Sequence, residues 1–178
     1  DRHLEIARRS AEFTLRLKPA GDAFFPAAFT REGEPLEPGE IYGDLFISLG
    51  LQELARGAGM ERYHAEAKDI LLKCLRMYDR PDYPGRSFRA DMPDIAAPRM
   101  LGHWMLMTRI ATRMLDAEPD PDVEAALDRC LDAVMNRHYN PRFGLVNEVL
   151  NHDFSRPANA FERWSYLGHA IETLWFVM

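Results

Sequence analysis

The chain has few cysteines, no long apolar run and no excess of positive charge. Cys74 and Cys130 are far apart and form no CxxC pair, which argues against a disulfide framework and a zinc knuckle, so we expect two reduced core thiols. No window reaches eighteen apolar residues and no segment resembles a secretory leader, so no membrane span is predicted. Acidic and basic residues are interspersed along all 178 residues, and the net charge is -6. This charge distribution disfavours nucleic acid and anionic membranes as partners. We therefore expect a cytoplasmic globular domain.

Prolines and glycines punctuate the chain, and the segments between them have helical rather than alternating periodicity. This pattern predicts two extended excursions, at residues 23–30 and 144–149, and six helices. The helices are predicted at about residues 2–17, 41–56, 61–77, 97–115, 120–139 and 160–178. The fourth is apolar on almost every side, which is typical of a buried helix.

The sequence begins and ends inside helical patterns, and extended excursions join the first helix to the second and the fifth to the sixth. Such recurring helical hairpins bury their apolar faces by stacking against neighbours. We therefore expect residues 1–178 to form a single domain that is a segment of a larger helical toroid or solenoid.

The segment GHAIETLW at 168–175 contains the most informative spacing. His169 and Glu172 are three residues apart on a helix, so the two side chains can touch. A carboxylate beside an imidazole favours the charged ring and fixes its tautomer, as a proton-transferring histidine requires. Spacing alone leaves open a solvated surface pair or a capped core histidine.

Two other histidines need an explanation. His103 lies in the buried fourth helix, so it must be hydrogen-bonded or face a cavity. His138 lies near the end of the fifth helix, where an imidazolium interacts favourably with the helix dipole. A metal set of His103, His169, Glu172 and Glu148 is disfavoured because no HExxH or paired ExxH pattern occurs, so no metal is expected.

Two stretches of the sequence resemble one protein family. GHAIETLW at 168–175 is similar to the GHxxE motif of the N-acylglucosamine 2-epimerase family, which includes cellobiose 2-epimerases and related aldose–ketose isomerases. YGDLF at 42–46, continuing to LARGAG at 54–59, is similar to another helix of that family. The order of helices and extended segments also matches, so the resemblance covers essentially the whole chain.

The resemblance implies an all-α (α/α)6 toroid, or barrel, of which this chain contains about half. It implies a sugar 2-epimerase or aldose–ketose isomerase that moves protons through an enediolate, with His169 as acid and base and Glu172 as its partner. A second catalytic histidine and a substrate-binding arginine would lie outside residues 1–178, so the segment alone would be inactive. A sugar is the expected partner, a homodimer is compatible with the fold, and no cofactor is expected. The implied substrate-binding positions are Tyr42, Asp44, His103 and Glu148.

Two alternatives remain open from the residues. Similar toroids include glycoside hydrolases, which use two carboxylates, and Asp91, Asp94 and Glu148 are the candidates here. The other alternative is a sugar-binding or interaction scaffold without catalysis.

Overall fold

The computed structural model describes residues 2–85 and 93–178, and this part of the chain contains six α-helices and only short strands. The all-α prediction is confirmed, and the second and third helices lie close to their predicted ranges. The helices are α1 (Arg2–Arg16), α2 (Ile41–Ala58), α3 (Glu61–Tyr78), α4 (Leu101–Leu115), α5 (Pro121–Asp132) and α6 (Leu167–Val177).

The strands form three antiparallel pairs in the long connections between helices. These connections lead from α1 to α2, from α3 to α4 and from α5 to α6, whereas α2–α3 and α4–α5 are joined by short turns. The pairs are β1 (Ala28–Phe29) with β2 (Pro35–Glu37), β3 (Arg99–Met100) with β6 (Val149–Leu150), and β4 (Tyr139–Asn140) with β5 (Leu145–Val146).

The helices alternate between two rows. In the inner row α4 packs between α2 and α6, and in the outer row α1 and α3 pack on α2 while α5 packs on α4. This alternation is the arrangement expected for part of an (α/α)6 toroid. Within the described ranges, no helix is long and apolar enough to cross a membrane.

The core is built around α4, as its apolar composition predicts. Trp104, Met107 and Ile110 are almost completely buried there. The two cysteines are buried free thiols, which confirms their predicted place in the core. In contrast, α1 has no buried residue in this chain.

Two helices begin later than their periodicity predicts. Residues 99–100 pair with β6, so α4 starts at Leu101 instead of residue 97, and Ala97 has a positive φ of 45° that interrupts a helix. The predicted sixth helix is divided into a 3-10 turn, Ala160–Arg163, and α6. The Trp164 carbonyl between them accepts a hydrogen bond from Glu148, which keeps the chain extended there.

A π-helical turn, Ala133–Arg137, follows α5, and a buried clasp joins its end to the segment between β5 and β6 that carries Glu148. His138 Nδ1 lies 2.7 Å from the Asn147 carbonyl and donates to it, and Asn147 N–H donates to the His138 carbonyl over 2.8 Å. Burial lowers the pKa of His138 to about 4, despite the opposing effect of that hydrogen bond. His138 is therefore a neutral core residue rather than the charged helix end that its position predicts.

We expect His138→Gln to flatten the dependence of stability on pH. The folded pKa lies below the ordinary value, so the stabilising contribution of His138 is complete above about pH 6.5 and is lost as the pH falls towards 4. This loss amounts to about 2 kcal/mol between pH 6.5 and 5. Denaturant unfolding at several pH values measures it, and an unchanged slope in the variant would contradict a buried neutral ring.

Candidate active site

The structure places His169 directly above a buried carboxylate. His169 is in the first turn of α6, and Glu148 is in the segment between β5 and β6. Their Nδ1 and Oε1 atoms lie 2.9 Å apart, with Glu148 fully buried and the His169 side chain 15% exposed. The ring of Tyr166 packs against the imidazole edge with a centroid distance of 4.6 Å. Glu148 and Tyr166 therefore hold the imidazole in place, and the ring remains partly accessible to solvent.

The carboxylate–imidazole pair changes the pKa of both partners. Burial raises the pKa of Glu148, although the His169 hydrogen bond and charge and the Gly102 N–H oppose this effect. Burial lowers the pKa of His169, but the hydrogen bond and charge of Glu148, together with the charge of Glu172, outweigh it and raise the pKa overall. The pair therefore favours a histidine that accepts a proton readily.

The carboxylate that binds His169 is not the one that helical spacing predicts. Glu172 is exposed one turn further along α6, and its effect on His169 is electrostatic. Glu148 takes the hydrogen bond instead, because the β5–β6 segment passes beneath the start of α6. In this structure Glu148 is the hydrogen-bond partner of His169, and Glu172 adds charge from the surface; the catalytic role of Glu172 stays a prediction.

The start of α4 binds the same carboxylate. Gly102 N–H donates to Glu148 Oε1 over 3.2 Å, and Leu101 N–H donates to the Glu148 backbone carbonyl over 2.8 Å. The second carboxylate oxygen, Oε2, is buried and has no hydrogen-bond partner within the described residues. Glu148 is therefore fixed by two inner helices at once.

A cavity of about 610 Å³ lies where α2 and α4 begin. The predicted residues His103 and Tyr42 are both on its wall, with ring centroids 4.3 Å apart. The other lining residues are Phe24, Ala27, Pro38, Gly39, Glu40, Tyr83, Pro84, Gly85 and Met100. Aromatic faces with a few polar groups suit a small polar ligand such as a sugar.

His103 and Tyr42 are both uncharged at neutral pH. Burial, followed by the charges of His169 and His138, lowers the pKa of His103 to about 3, and its Nδ1 lies 3.3 Å from Tyr78 Oη. Burial, followed by the charges of Glu148 and Glu40, raises the pKa of Tyr42. These two residues are therefore suited to hydrogen bonding rather than to general acid–base catalysis.

Asp44 lies outside the cavity, contrary to the sugar contact that the resemblance implies. Its Oδ1 accepts from Phe25 N–H over 2.9 Å, and its Oδ2 lies 2.5 Å from Lys73 Nζ in a buried ion pair. Lys73 also donates to the Ala23 carbonyl over 2.9 Å. Asp44 therefore anchors the segment around Phe24, and Phe24 is one of the residues that line the cavity. The carboxylate is paired with a lysine of the neighbouring α3. The two residues are far apart in sequence, so local spacing could not predict this ion pair.

Of the hydrolase candidates, the structure describes Asp94 and Glu148, which lie in different places. Asp94 is exposed and lines a different cavity of about 580 Å³ with His152 and Asp153, away from the Glu148–His169 pair. Asp91 lies outside the described residues. Across ranges 2–85 and 93–178, no three His, Cys, Asp or Glu side chains are grouped as metal ligands.

The fold and site together define a helical toroid segment in which a buried carboxylate holds a histidine at one end of the inner row. The chain is 25% identical to the N-acylglucosamine 2-epimerase of Bos taurus over 180 residues, and 25% identical to that of Mus musculus over 179 residues. Each alignment covers 98% of this chain and 42% of the relative, so the chain spans less than half their length. No family model matches the sequence. The resemblance that the GHxxE motif indicates is confirmed by these two proteins.

We expect Glu148→Gln to lower the pKa of His169. The amide keeps the shape of the side chain but removes the charge that offsets burial, so the pKa falls below the ordinary value of about 6.5. Titration of the His169 ring signals by NMR measures this. Glu172→Gln is the matched control and gives a smaller decrease, because Glu172 acts only by charge from an exposed position. Equal decreases would refute the assignment of Glu148 as the partner.

We expect Lys73→Met to lower the free energy of unfolding by about 3–5 kcal/mol, because it leaves the buried Asp44 without its counter-ion. Lys68→Met is the matched control: that lysine pairs with Asp120 and Asp122 near the surface, and its loss costs about 1 kcal/mol or less. Denaturant unfolding compares the two variants. Similar losses would show that the Asp44–Lys73 pair is not a structural anchor.

Proposed function

We propose that this protein is a sugar 2-epimerase or aldose–ketose isomerase in which His169 transfers a proton through an enediolate of the open-chain sugar. The observation that carries this proposal is the His169–Glu148 hydrogen bond of 2.9 Å. Tyr42 links this pair to the cavity of about 610 Å³, because it lines the cavity and its Oη meets His169 at Gly102. The similarity to two N-acylglucosamine 2-epimerases supports the same class of reaction.

The reaction begins when His169 removes the proton from C2, next to the sugar carbonyl. Nδ1 is committed to Glu148, so Nε2 is the nitrogen that accepts the proton. The C2–H bond breaks, its electron pair forms the C1–C2 double bond, and the negative charge moves to the carbonyl oxygen. Buried Glu148 stabilises the resulting imidazolium.

The outcome depends on where the proton returns. Delivery to the opposite face of C2 restores the C1 carbonyl and gives the epimer. Delivery to C1, with the O2 proton transferred to O1, gives the ketose. The opposite-face transfer requires a second acid, which the family resemblance assigns to a histidine outside residues 1–178. Both outcomes conserve electrons within the sugar, so the proposed chemistry uses no redox cofactor.

The surroundings favour the anionic enediolate. The inner helices α2, α4 and α6 all begin at this end, and their first turns have no side-chain cap. The positive ends of their dipoles therefore favour negative charge here. Neutral His103 on the cavity wall has Nδ1 engaged with Tyr78, which directs its Nε2 towards a ligand oxygen.

Proton NMR of the full-length protein in D2O tests the proposal. Mannose, N-acetylmannosamine, cellobiose and sulfoquinovose are incubated separately, and we expect the C2 proton signal of one of them to disappear. His169→Ala should slow this exchange by at least about a hundredfold, the usual range for a general acid–base residue. The control His3→Ala, on the exposed outer helix α1, should retain it.

Other results would reject the proposal. Retained C2 exchange in His169→Ala would exclude this histidine as the acid–base group. Release of reducing ends from cellobiose would favour a hydrolase. Binding of a sugar with every C2 proton retained would favour a non-catalytic scaffold.

A further inference from the structure

Gly102, in the first turn of α4, lies where three groups of the candidate site meet. A Cβ atom added to Gly102 would stand 2.2 Å from Tyr42 Oη and 2.7 and 2.9 Å from Cε1 and Nδ1 of His169. Real Cβ atoms essentially never approach other atoms this closely. In contrast, Cβ atoms added to Gly43 and Gly50 of α2 would meet nothing within 4 Å. The close approach is therefore specific to Gly102 among these inner-helix glycines.

Gly102 also binds the carboxylate of the pair through its backbone. Its N–H donates to Glu148 Oε1 over 3.2 Å, and the same oxygen accepts from His169 Nδ1 over 2.9 Å. One residue thus supplies a hydrogen bond to the orienting carboxylate and the space that the imidazole occupies.

Backbone conformation does not explain the glycine. Gly102 is absent from the glycines with positive φ, so another residue type can adopt its helical conformation. Within a helix, glycine is less favourable than alanine because it loses more conformational freedom on folding. The remaining explanation for a glycine at position 102 is that the neighbouring side chains occupy the space of a Cβ atom.

The imidazole is the group that can yield to a larger residue. The hydroxyl of Tyr42 is buried, and its ring packs against His103 and Phe46. His169 has an accessible side, so a methyl group at position 102 would push its ring away from Glu148.

We infer that Gly102 is a positioning residue, whose missing side chain and backbone N–H together hold His169 on Glu148. The inference rests on the proposed function only in assigning proton transfer to His169. The geometry that it predicts can be measured without turnover.

The test compares Gly102→Ala with Gly50→Ala in the full-length protein. Labelling histidine with 15N allows NMR to report the tautomer and the pKa of His169. Among the described residues, the ionisable groups that face this ring are Glu148, Glu172, His103, Tyr42 and Tyr166.

In the wild type and Gly50→Ala we expect the neutral ring to carry its proton on Nδ1 and the pKa to be raised. In Gly102→Ala we expect a mixture of tautomers and a lower pKa. With the sugar that undergoes C2 exchange, kcat should fall by about a hundredfold with a smaller change in KM, because the base is misplaced.

A second variant guards against misfolding. Tyr42→Phe combined with Gly102→Ala removes the oxygen nearest to the new methyl group but leaves the contacts with His169. We expect this double variant to fold and still to show a displaced His169. Thermal unfolding and near-ultraviolet circular dichroism establish whether each variant is folded.

Two results would overturn the inference. One is a folded Gly102→Ala, or folded double variant, whose His169 keeps the wild-type tautomer and pKa. The other is failure of both variants to fold, which would assign Gly102 to folding rather than to positioning. If His169 is displaced in Gly102→Ala while the wild type exchanges no C2 proton, the positioning role stands and the proposed function fails.

Discussion

The arrangement depends on one buried carboxylate beneath one partly exposed imidazole. Removing Glu148 from water carries a large desolvation penalty, and a hydrogen bond from His169 and one from Gly102 offset it. These three residues belong to α6, to the β5–β6 segment and to α4, so all three elements must be held in register. A buried ion pair is weak evidence for stability, and here its clearest effect is to fix the orientation of the ring that it binds.

The surrounding structure supports that register through backbone hydrogen bonds. The His138–Asn147 clasp holds the residue before Glu148, and Trp164 accepts from the Glu148 N–H just before α6 begins. On the other side, the pairing of Arg99–Met100 with β6 places the first turn of α4 over the carboxylate. The short strands therefore position the site, even though they contain few residues.

The sequence predicted the features that follow from local periodicity, and missed those that depend on contacts between elements. Helical spacing located the six helices, the burial of His103 and the position of His169. It predicted Glu172 as the partner of His169, because residues three positions apart are neighbours on a helix. Glu148 is 21 residues from His169 in sequence, so helical spacing could not predict their hydrogen bond. The ion pair between Asp44 and Lys73 also joins two helices, so local periodicity could not predict it either. The resemblance named Glu148 for a sugar contact, and only the fold showed its pairing with the histidine.

Three departures from the ordinary rules of stability lie at this end of the inner helices. Gly102 lies within a helix, where glycine is a weaker helix former than alanine, and Glu148 Oε2 and Tyr42 Oη are buried without partners in the described part of the chain. In contrast, the outer helix α5 follows the standard pattern, with Asp120 capping its N-terminus and proline in its first turn. Sites that must hold a reactive group tolerate such costs, because the geometry is required for function rather than for folding. The costs beside His169 are of the kind that a site holding a reactive group requires.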